Sequence, residues 1–328
     1  MHYAHTLPTL THADAEEILR EPVFSVTPLG QGARARVYRV ESEEGAVRVL
    51  RVSSRDTSRA AREAYVYERF RESGCLDQVV VLPAIRVQHG ALAQRFEVVS
   101  QREVRGQPLG AALRGLLPRD QDHYFAAMGR GLAVVHGHTV TRAGLLQGGE
   151  GSFVRWTQCF ETMADDALEA LRISPLASLV DPARATLTRL RGSLVEPPSL
   201  RLLHGDAQPM NVLVHAGKIV AWLDWEFAMG GDPLFELAYV ETLFESGWAS
   251  WATEVQRASW REYFCRGYGD DPLARVPAIA LQYALVHALR ATEFSSVMAP
   301  SLAPALRLAS ERGMRSRIES IMGRAAQG

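Results

Sequence analysis

Residues 202–238 read LLHGDAQPMNVLVHAGKIVAWLDWEFAMGGDPLFELA, and this stretch decides the fold. Two apolar segments, 212–214 and 219–223, are joined by the short turn HAGK, a spacing typical of a β-hairpin. Asn211 directly precedes the first segment, and Asp224 directly follows the second. Because the two ends of a hairpin lie side by side, we expect these two polar side chains to be close together.

Asp206 lies on the loop that leads into this hairpin, within the sequence HGD. Carboxylate and amide oxygens are the ligands that Mg²⁺ prefers, so Asn211 and Asp224 are candidate metal ligands. Asp206 fits the group that accepts or orients the proton of an acceptor hydroxyl. The alternative is that Asp206 caps a turn and Asn211 forms an Asx-turn, without any chemistry. The convergence of all three residues favours a site for phosphoryl transfer.

A candidate nucleotide site lies earlier in the chain. Gly30 and Gly32, in LGQGARARVYRV, follow a strand-like run, and a glycine-rich hairpin lets backbone N–H groups approach phosphates. Val49 and Arg51, on a later strand, share one face, so Arg51 is placed to contact phosphates and Val49 the base. Glu63 on the following helix is a candidate partner for Arg51. The alternatives are an ordinary β-turn and a solvated strand edge.

The order of predicted elements indicates an α+β protein with two lobes. Residues 23–52 predict three strands, residues 58–70 a helix, and residues 84–100 two further strands. The chain then becomes mainly helical; the predicted helices are 120–136, 153–171, 182–191, 233–244, 250–268 and one region from 277 onwards. We therefore predict an N-terminal nucleotide-binding lobe with its hinge in residues 1–103, and a helical lobe with the catalytic loop and acceptor site in residues 104–328.

The composition narrows the class of protein. The 328 residues are 47% hydrophobic and 22% charged, which is typical of a globular chain, and the formal net charge is −1. This charge predicts no attraction to nucleic acid or to an anionic membrane. The first twenty residues have no apolar core of a signal peptide, and three scattered cysteines favour a reducing compartment. We expect a cytoplasmic monomer or homodimer.

The order of glycine loop, strand cation, helix glutamate, HGD, asparagine and DWE resembles the aminoglycoside phosphotransferase family. The resemblance covers residues 25–245, and stretches such as YVYERF and GKIVAWLDWEFAMGGD are most similar to the hygromycin B kinases. It implies a bilobal protein-kinase-like fold, ATP or GTP as phosphoryl donor, and Mg²⁺. It also implies Asp206 as catalytic base, Asn211 and Asp224 as magnesium ligands, and Arg51, where most members have lysine, as the phosphate-binding cation.

The same resemblance implies that residues 98–103 form the hinge beside the nucleotide base, which makes Ser100 and Arg102 candidate binding residues. Two positions in the catalytic loop depart from the family pattern. Met210 replaces a small residue before the asparagine, and Gln208 replaces a common histidine. These changes leave the candidate catalytic residues intact.

The acceptor site is predicted from charge. No basic residue occurs between Lys218 and Arg257, whereas the interval is rich in acids. An unneutralised acidic wall beside the catalytic loop would attract cations. The candidate acceptor-binding residues are Glu226, Glu241 and Glu245. The alternative is a solvated acidic helix face.

These observations predict an enzyme that transfers the γ-phosphoryl group of ATP or GTP to a hydroxyl of a small polyhydroxy, cationic acceptor. An aminoglycoside-like antibiotic is the first candidate, with resistance as the biological result. One alternative is a metabolic or biosynthetic kinase of a sugar, an amino alcohol or a natural product. Another is a pseudokinase that binds nucleotide without turnover.

Overall fold

The computed structural model describes residues 7–31, 35–54, 57–83, 85–245, 249, 251–298 and 304–327. The chain forms an N-terminal lobe built on an antiparallel sheet and a mainly helical C-terminal lobe, which confirms the predicted α+β bilobal fold. Gly32 of the predicted phosphate loop lies outside the described residues.

The N-terminal lobe contains a five-stranded sheet in the order β1-β2-β3-β5-β4, with every neighbouring pair antiparallel. Its strands are β1 (Val23–Gln31), β2 (Ala35–Ser42), β3 (Val47–Ser53), β4 (Ile85–Val87) and β5 (Glu97–Arg102), and its helices are α1 (His12–Leu19), α2 (Thr57–Ser73) and α3 (Ala91–Arg95). Leu50 and Val52 of β3 face α1 and α3, where they form a small core with Ile18 and Leu92. Helix α3 interrupts the region for which the sequence predicted strands alone.

The C-terminal lobe begins after β5. Its helices are α4 (Leu109–Ala112), α5 (Pro118–Gly137), α6 (Trp156–Arg172), α7 (Val180–Leu190), α8 (Pro233–Glu245), α9 (Glu254–Tyr268), α10 (Pro277–Met298) and α11 (Pro304–Gln327). Its strands are β6 (Gln107–Pro108), β7 (Gly144–Leu145), β8 (Arg201–Leu203), β9 (Val212–His215), β10 (Lys218–Trp222) and β11 (Met229–Gly231). The single helical region predicted from residue 277 onwards consists of two helices. None of the helices in the described ranges has the length and apolarity needed to cross a membrane.

Two small sheets position the candidate site in this lobe. The predicted hairpin is present as β9 and β10, in which His215 pairs with Lys218 and Val212 pairs with Trp222. Strand β6 adds to the outer edge of β9. The second sheet has the order β7-β11-β8, and β8 leads directly into the HGD loop. The hairpin and this sheet therefore hold the two ends of residues 204–211.

Candidate active site

The hairpin brings the two candidate metal ligands to the same end. Asn211 closes the 3₁₀ turn Pro209–Asn211 just before β9, and Asp224 follows β10 by two residues. The backbone N–H of Leu223 donates to the carbonyl oxygen of Asn211 at 2.8 Å, so the two chain segments are in direct contact. The sequence predicted this juxtaposition from the hairpin alone.

The carboxylate of Asp206 accepts hydrogen bonds on both of its oxygens. Oδ2 accepts from the amide nitrogens of Asn211 and Gln208, each at 2.8 Å. Oδ1 accepts from the hydroxyl of Tyr239, on α8, at 2.5 Å. A carboxylate oxygen has two acceptor positions, so Oδ1 retains one for a further hydroxyl group. Gln208 and Tyr239 were not predicted as site residues, and no sequence motif marks them as partners of Asp206.

The backbone of the loop that carries Asp206 is hydrogen-bonded to a buried glutamate of α8. Glu236 accepts from the backbone N–H of His204 at 2.9 Å and from that of Gly205 at 2.6 Å. Its Oε2 also lies 2.9 Å from Nε2 of His136. Gly205 has a φ of +83°, and a Cβ atom there would lie 2.1 Å from the carbonyl oxygen of Phe227. This position therefore needs glycine both for its backbone angle and for space.

Glu236 remains a carboxylate although its side chain is buried. Burial opposes ionisation, but the hydrogen bond and the charge of His136, together with the N–H of His204, lower the pKa of Glu236 below its ordinary value. An ionised carboxylate is the form that accepts from two backbone N–H groups. Glu236 therefore anchors the catalytic loop to helix α8.

His204 links the loop to the end of the hairpin. Its ring is completely buried; Nδ1 accepts from the backbone N–H of Asp206 at 3.3 Å, and Nε2 lies 2.9 Å from the carbonyl oxygen of Leu223. Because Nδ1 is the acceptor, the hydrogen-bond network assigns the proton to Nε2. A histidine held in this way positions Asp206 relative to Asp224.

The surroundings of Asp224 suit a divalent cation. Asp224 has left-handed backbone angles, φ +63° and ψ +56°, which turn its side chain out of the strand direction. Burial raises the pKa of its carboxyl group; Arg51 opposes this shift, and the charge of Asp206 adds to it. A bound cation would favour the ionised form of both carboxylates. Since the amide nitrogen of Asn211 donates to Asp206, the Asn211 oxygen is the atom that remains for such a cation.

Asp224 and Asn211 do not form an all-protein metal cage. Within the described ranges, no group of three or more histidine, cysteine, aspartate or glutamate side chains has the geometry to hold a metal ion. Two oxygen ligands are the number expected for Mg²⁺ that takes its remaining ligands from phosphates and water. The donor set therefore fits a magnesium–nucleotide complex better than a resident metal ion.

Arg51 and Glu63 form the ion pair that the sequence suggested. Nη1 of Arg51 lies 2.7 Å from Oε1 of Glu63, and both side chains are largely buried. Burial lowers the pKa of Arg51, but the charge and hydrogen bond of Glu63, together with the charges of Asp224 and Glu226, raise it above its ordinary value, so the guanidinium group is charged. Nη2 of Arg51 is also buried and has no hydrogen-bond partner among the residues that the structure describes. Such an orphaned donor is expected where a ligand supplies the acceptor, and a phosphate oxygen fits this role.

The other candidate nucleotide-binding residues lie on both faces of the sheet. Val49 shares the face of Arg51, because the two are separated by one residue on β3. Ser100 pairs with Leu50 and Arg102 pairs with Arg48, so both side chains are on the opposite face. Gly30, opposite Val37 near the end of β1, has open space where a Cβ would stand.

The expectation of an unneutralised acidic wall is wrong. Each carboxylate has an arginine partner: Glu226 pairs with Arg59, Glu241 with Arg261 and Glu245 with Arg324, each at 2.6 Å. The partners come from α2, α9 and α11, outside the interval in which the sequence lacks basic residues. Glu241 and Glu245 pair with different helices, α9 and α11.

The comparisons with known proteins agree with this architecture. The model of the phosphotransferase enzyme family matches residues 25–278. A search of curated proteins found no significant match. Among solved structures, a thermostable mutant of aminoglycoside phosphotransferase APH(4)-Ia has a TM-score of 0.70 at 20% identity, covering 97% of this chain and 100% of that chain.

Two further neighbours have lower scores. The GDP and kanamycin complex of APH(2")-IIia has a TM-score of 0.60 at 16% identity, covering 96% of this chain and 98% of that chain. A putative fructosamine-3-kinase from Thermobifida fusca has a TM-score of 0.59 at 14% identity, covering 97% and 99%. At these identities the likeness shows a shared fold.

Proposed function

The chain belongs to the phosphotransferase enzyme family, and on that premise we propose that it transfers the terminal phosphoryl group of ATP or GTP to a hydroxyl group of a small molecule bound beside Asp206. The observation that carries this proposal is the hydrogen-bonded arrangement of Asp206 and Asn211, held next to Asp224 by the hairpin. The roles of these residues follow from their chemistry.

Asp206 orients the acceptor hydroxyl and accepts its proton through Oδ1, the oxygen with a free acceptor position. Asn211 and Asp224 would hold Mg²⁺, which supplies charge neutralisation at the donor phosphates. Arg51 binds a phosphate oxygen through its orphaned Nη2 and is held in place by Glu63. Because phosphoryl transfer needs little covalent chemistry from the protein, positioning and electrostatic stabilisation are sufficient.

An aminoglycoside is the first candidate acceptor. Solved structures with this fold include APH(4)-Ia with ADP and hygromycin B, and APH(2")-IIia with GDP and kanamycin. In this chain, phosphorylation of such an antibiotic would confer resistance.

A different hydroxyl compound is the second candidate, as for a metabolic or biosynthetic kinase. The pairing of Glu226, Glu241 and Glu245 with arginines favours it, because these acids no longer offer free charge to a polycation. Fold neighbours also include a putative fructosamine-3-kinase and an amicoumacin kinase.

The test is mass spectrometry of an acceptor panel after incubation with the enzyme, Mg²⁺ and either ATP or GTP. The panel contains hygromycin B, kanamycin, a fructosamine, amicoumacin and neutral sugars. We expect at least one compound to gain the mass of one phosphoryl group, and Asp206→Asn protein to leave it unchanged. Nucleotide binding without turnover of any compound would instead support a pseudokinase.

A further inference from the structure

Helix α2 carries two arginines whose side chains are almost completely buried. Arg59 and Arg62 are each 6% exposed, although arginine is rarely buried unless its charge is paired. They lie three residues apart and so project from the same side of the helix. Neither was singled out by its sequence, where they are part of an ordinary basic helix. Their burial requires partners in the C-terminal lobe.

Both arginines bind the same residue of that lobe. Nη1 of Arg59 lies 2.6 Å from Oε2 of Glu226. Nε of Arg62 donates to the backbone carbonyl oxygen of Glu226 at 2.6 Å, and its Nη1 donates to the carbonyl oxygen of Leu146 at 3.3 Å. Glu226 belongs to the 3₁₀ turn Trp225–Phe227, which directly follows Asp224. The side chain and the backbone of this turn are therefore both held by α2.

The same face of α2 also contacts the nucleotide lobe. Glu63, one residue after Arg62, pairs with Arg51 on β3. About two turns further along, the ring of Phe70 packs 5.8 Å from that of Trp225, and Phe70 belongs to the main core of the C-terminal lobe. Helix α2 thus connects Arg51, the proposed phosphate-binding cation, with the segment that carries Asp224.

Asp224 needs such support because of its backbone. A left-handed conformation is unfavourable for a residue other than glycine and persists where the surrounding structure enforces it. The bonds from Arg59 and Arg62 hold the turn that begins immediately after Asp224. Without these bonds, the backbone at Asp224 could leave its left-handed conformation. The Asp224 carboxylate would then move relative to Asn211.

We propose that Arg59 and Arg62 are positioning residues, which lock the turn after Asp224 to helix α2 and so fix the metal ligand relative to Arg51. This inference rests on the proposed function, because it assigns the lock to the nucleotide–magnesium side of the reaction. Arg51 in one lobe and Asp224 in the other then have the relative positions that nucleotide binding requires before the nucleotide binds. The proposed function places the acceptor hydroxyl at Oδ1 of Asp206 and not at Asp224, so the lock should affect the nucleotide and not the acceptor.

The test compares Arg59→Met, Glu226→Gln and the double variant with wild type. Calorimetry without acceptor gives the affinity for magnesium–nucleotide, steady-state kinetics give both KM values, and Tm reports stability. Each single variant should weaken nucleotide binding at least about tenfold, since coupled buried pairs are worth about that much. The double variant should be no weaker than the singles, and acceptor KM should stay the same.

Arg71→Ala is the matched control. Arg71 lies on the same helix and pairs with Glu68 at the same distance, 2.6 Å, but both side chains are about half exposed. We expect no change in nucleotide affinity when this ion pair is lost. If Arg59→Met does not fold, Glu226→Gln still reports on the lock, because it removes the charge while keeping the shape of the side chain.

Three results would overturn the lock. One is a lower Tm with unchanged nucleotide affinity, which would make the pair purely structural. Another is weaker binding in Glu226→Gln alone, which would mean that Glu226 acts without Arg59. The third is a wild-type protein that binds no nucleotide. A wild-type protein that binds nucleotide but phosphorylates no acceptor would contradict the proposed function instead. In that case the calorimetric comparison of the variants would still show whether Arg59 and Glu226 position the nucleotide site.

Discussion

The hydroxyl group of Tyr239 donates a hydrogen bond of 2.5 Å to Oδ1 of Asp206, the oxygen that the proposed reaction uses. Burial and the nearby charge of Asp206 raise the pKa of the Tyr239 hydroxyl well above its ordinary value, so it acts as a donor across the physiological pH range. Tyr239 therefore orients the carboxylate from helix α8, opposite to the side on which Asn211 and Gln208 bind it.

Replacing Tyr239 by phenylalanine should lower kcat about 10- to 150-fold, since a hydrogen bond to a charged group contributes about 1.5–3 kcal/mol. Nucleotide KM should not change, because Tyr239 binds Oδ1 of Asp206, the oxygen that the proposed reaction assigns to the acceptor. Steady-state kinetics with each substrate varied in turn measure both quantities. A higher kcat in Tyr239→Phe would show that the hydroxyl competes with the acceptor for Oδ1.

Gly205→Ala should destabilise the protein and remove most activity. The new methyl group would meet the carbonyl oxygen of Phe227 at 2.1 Å, so the catalytic loop must move. Gly217→Ala is the control: it shares a positive φ, +79°, but has open space at the Cβ position. Thermal unfolding should show a small decrease in Tm for Gly217→Ala, because a left-handed backbone costs a residue other than glycine about 1–2 kcal/mol. The decrease in Tm should be clearly larger for Gly205→Ala. Equal decreases would mean that the loop tolerates the displacement.

The hairpin, the meeting of Asn211 with Asp224, and the Arg51–Glu63 pair could be predicted because each follows from local pattern. A strand–turn–strand sequence determines which residues meet at its open end. The partners of Glu226, Glu241 and Glu245 could not be predicted in the same way. These partners are arginines of α2, α9 and α11, which reach the acids only through tertiary packing. The lack of basic residues between Lys218 and Arg257 therefore did not show whether the acids are neutralised in the folded protein.

The same reason explains the residues that the sequence analysis missed. Tyr239 and Glu236 lie on α8, where the local pattern predicts only a buried helix, and their contacts with the catalytic loop depend on how α8 packs beneath it. Burial of Arg59 and Arg62 depends on the docking of α2 against another lobe. Ser100 and Arg102 were chosen by position along the hinge, and the strand register then placed their side chains on the far face.

Metal-dependent turnover should require both presumed ligands. Asp224→Ala should abolish it, and Asn211→Ala should reduce kcat severely, because each removes one of two protein oxygens from the proposed site. Titration of activity with Mg²⁺ should show a higher requirement in Asn211→Ala. If both variants kept wild-type rates and wild-type calorimetric affinity for magnesium–nucleotide, the metal would bind elsewhere.

Stability at acidic pH should depend on Glu236. The folded protein lowers the pKa of this group, so its contribution is complete above the ordinary glutamate pKa and is lost as the pH falls through the lower value of the folded state. Glu236→Gln should therefore have a lower Tm than wild type at neutral pH, and the difference should shrink as the pH is lowered below about 4.3. A constant difference across this range, measured by thermal unfolding, would show that Glu236 is not a charged anchor.

The most direct test of the account is the rate of phosphoryl transfer by Asp206→Asn, measured with whichever acceptor the panel identifies. Asparagine keeps the shape of the side chain but cannot accept the hydroxyl proton as a carboxylate does. We predict a decrease in kcat of about 10²–10⁴-fold in a variant that still folds and still binds magnesium–nucleotide by calorimetry. Turnover near the wild-type rate in the folded variant would contradict the assignment of Asp206 as the catalytic base.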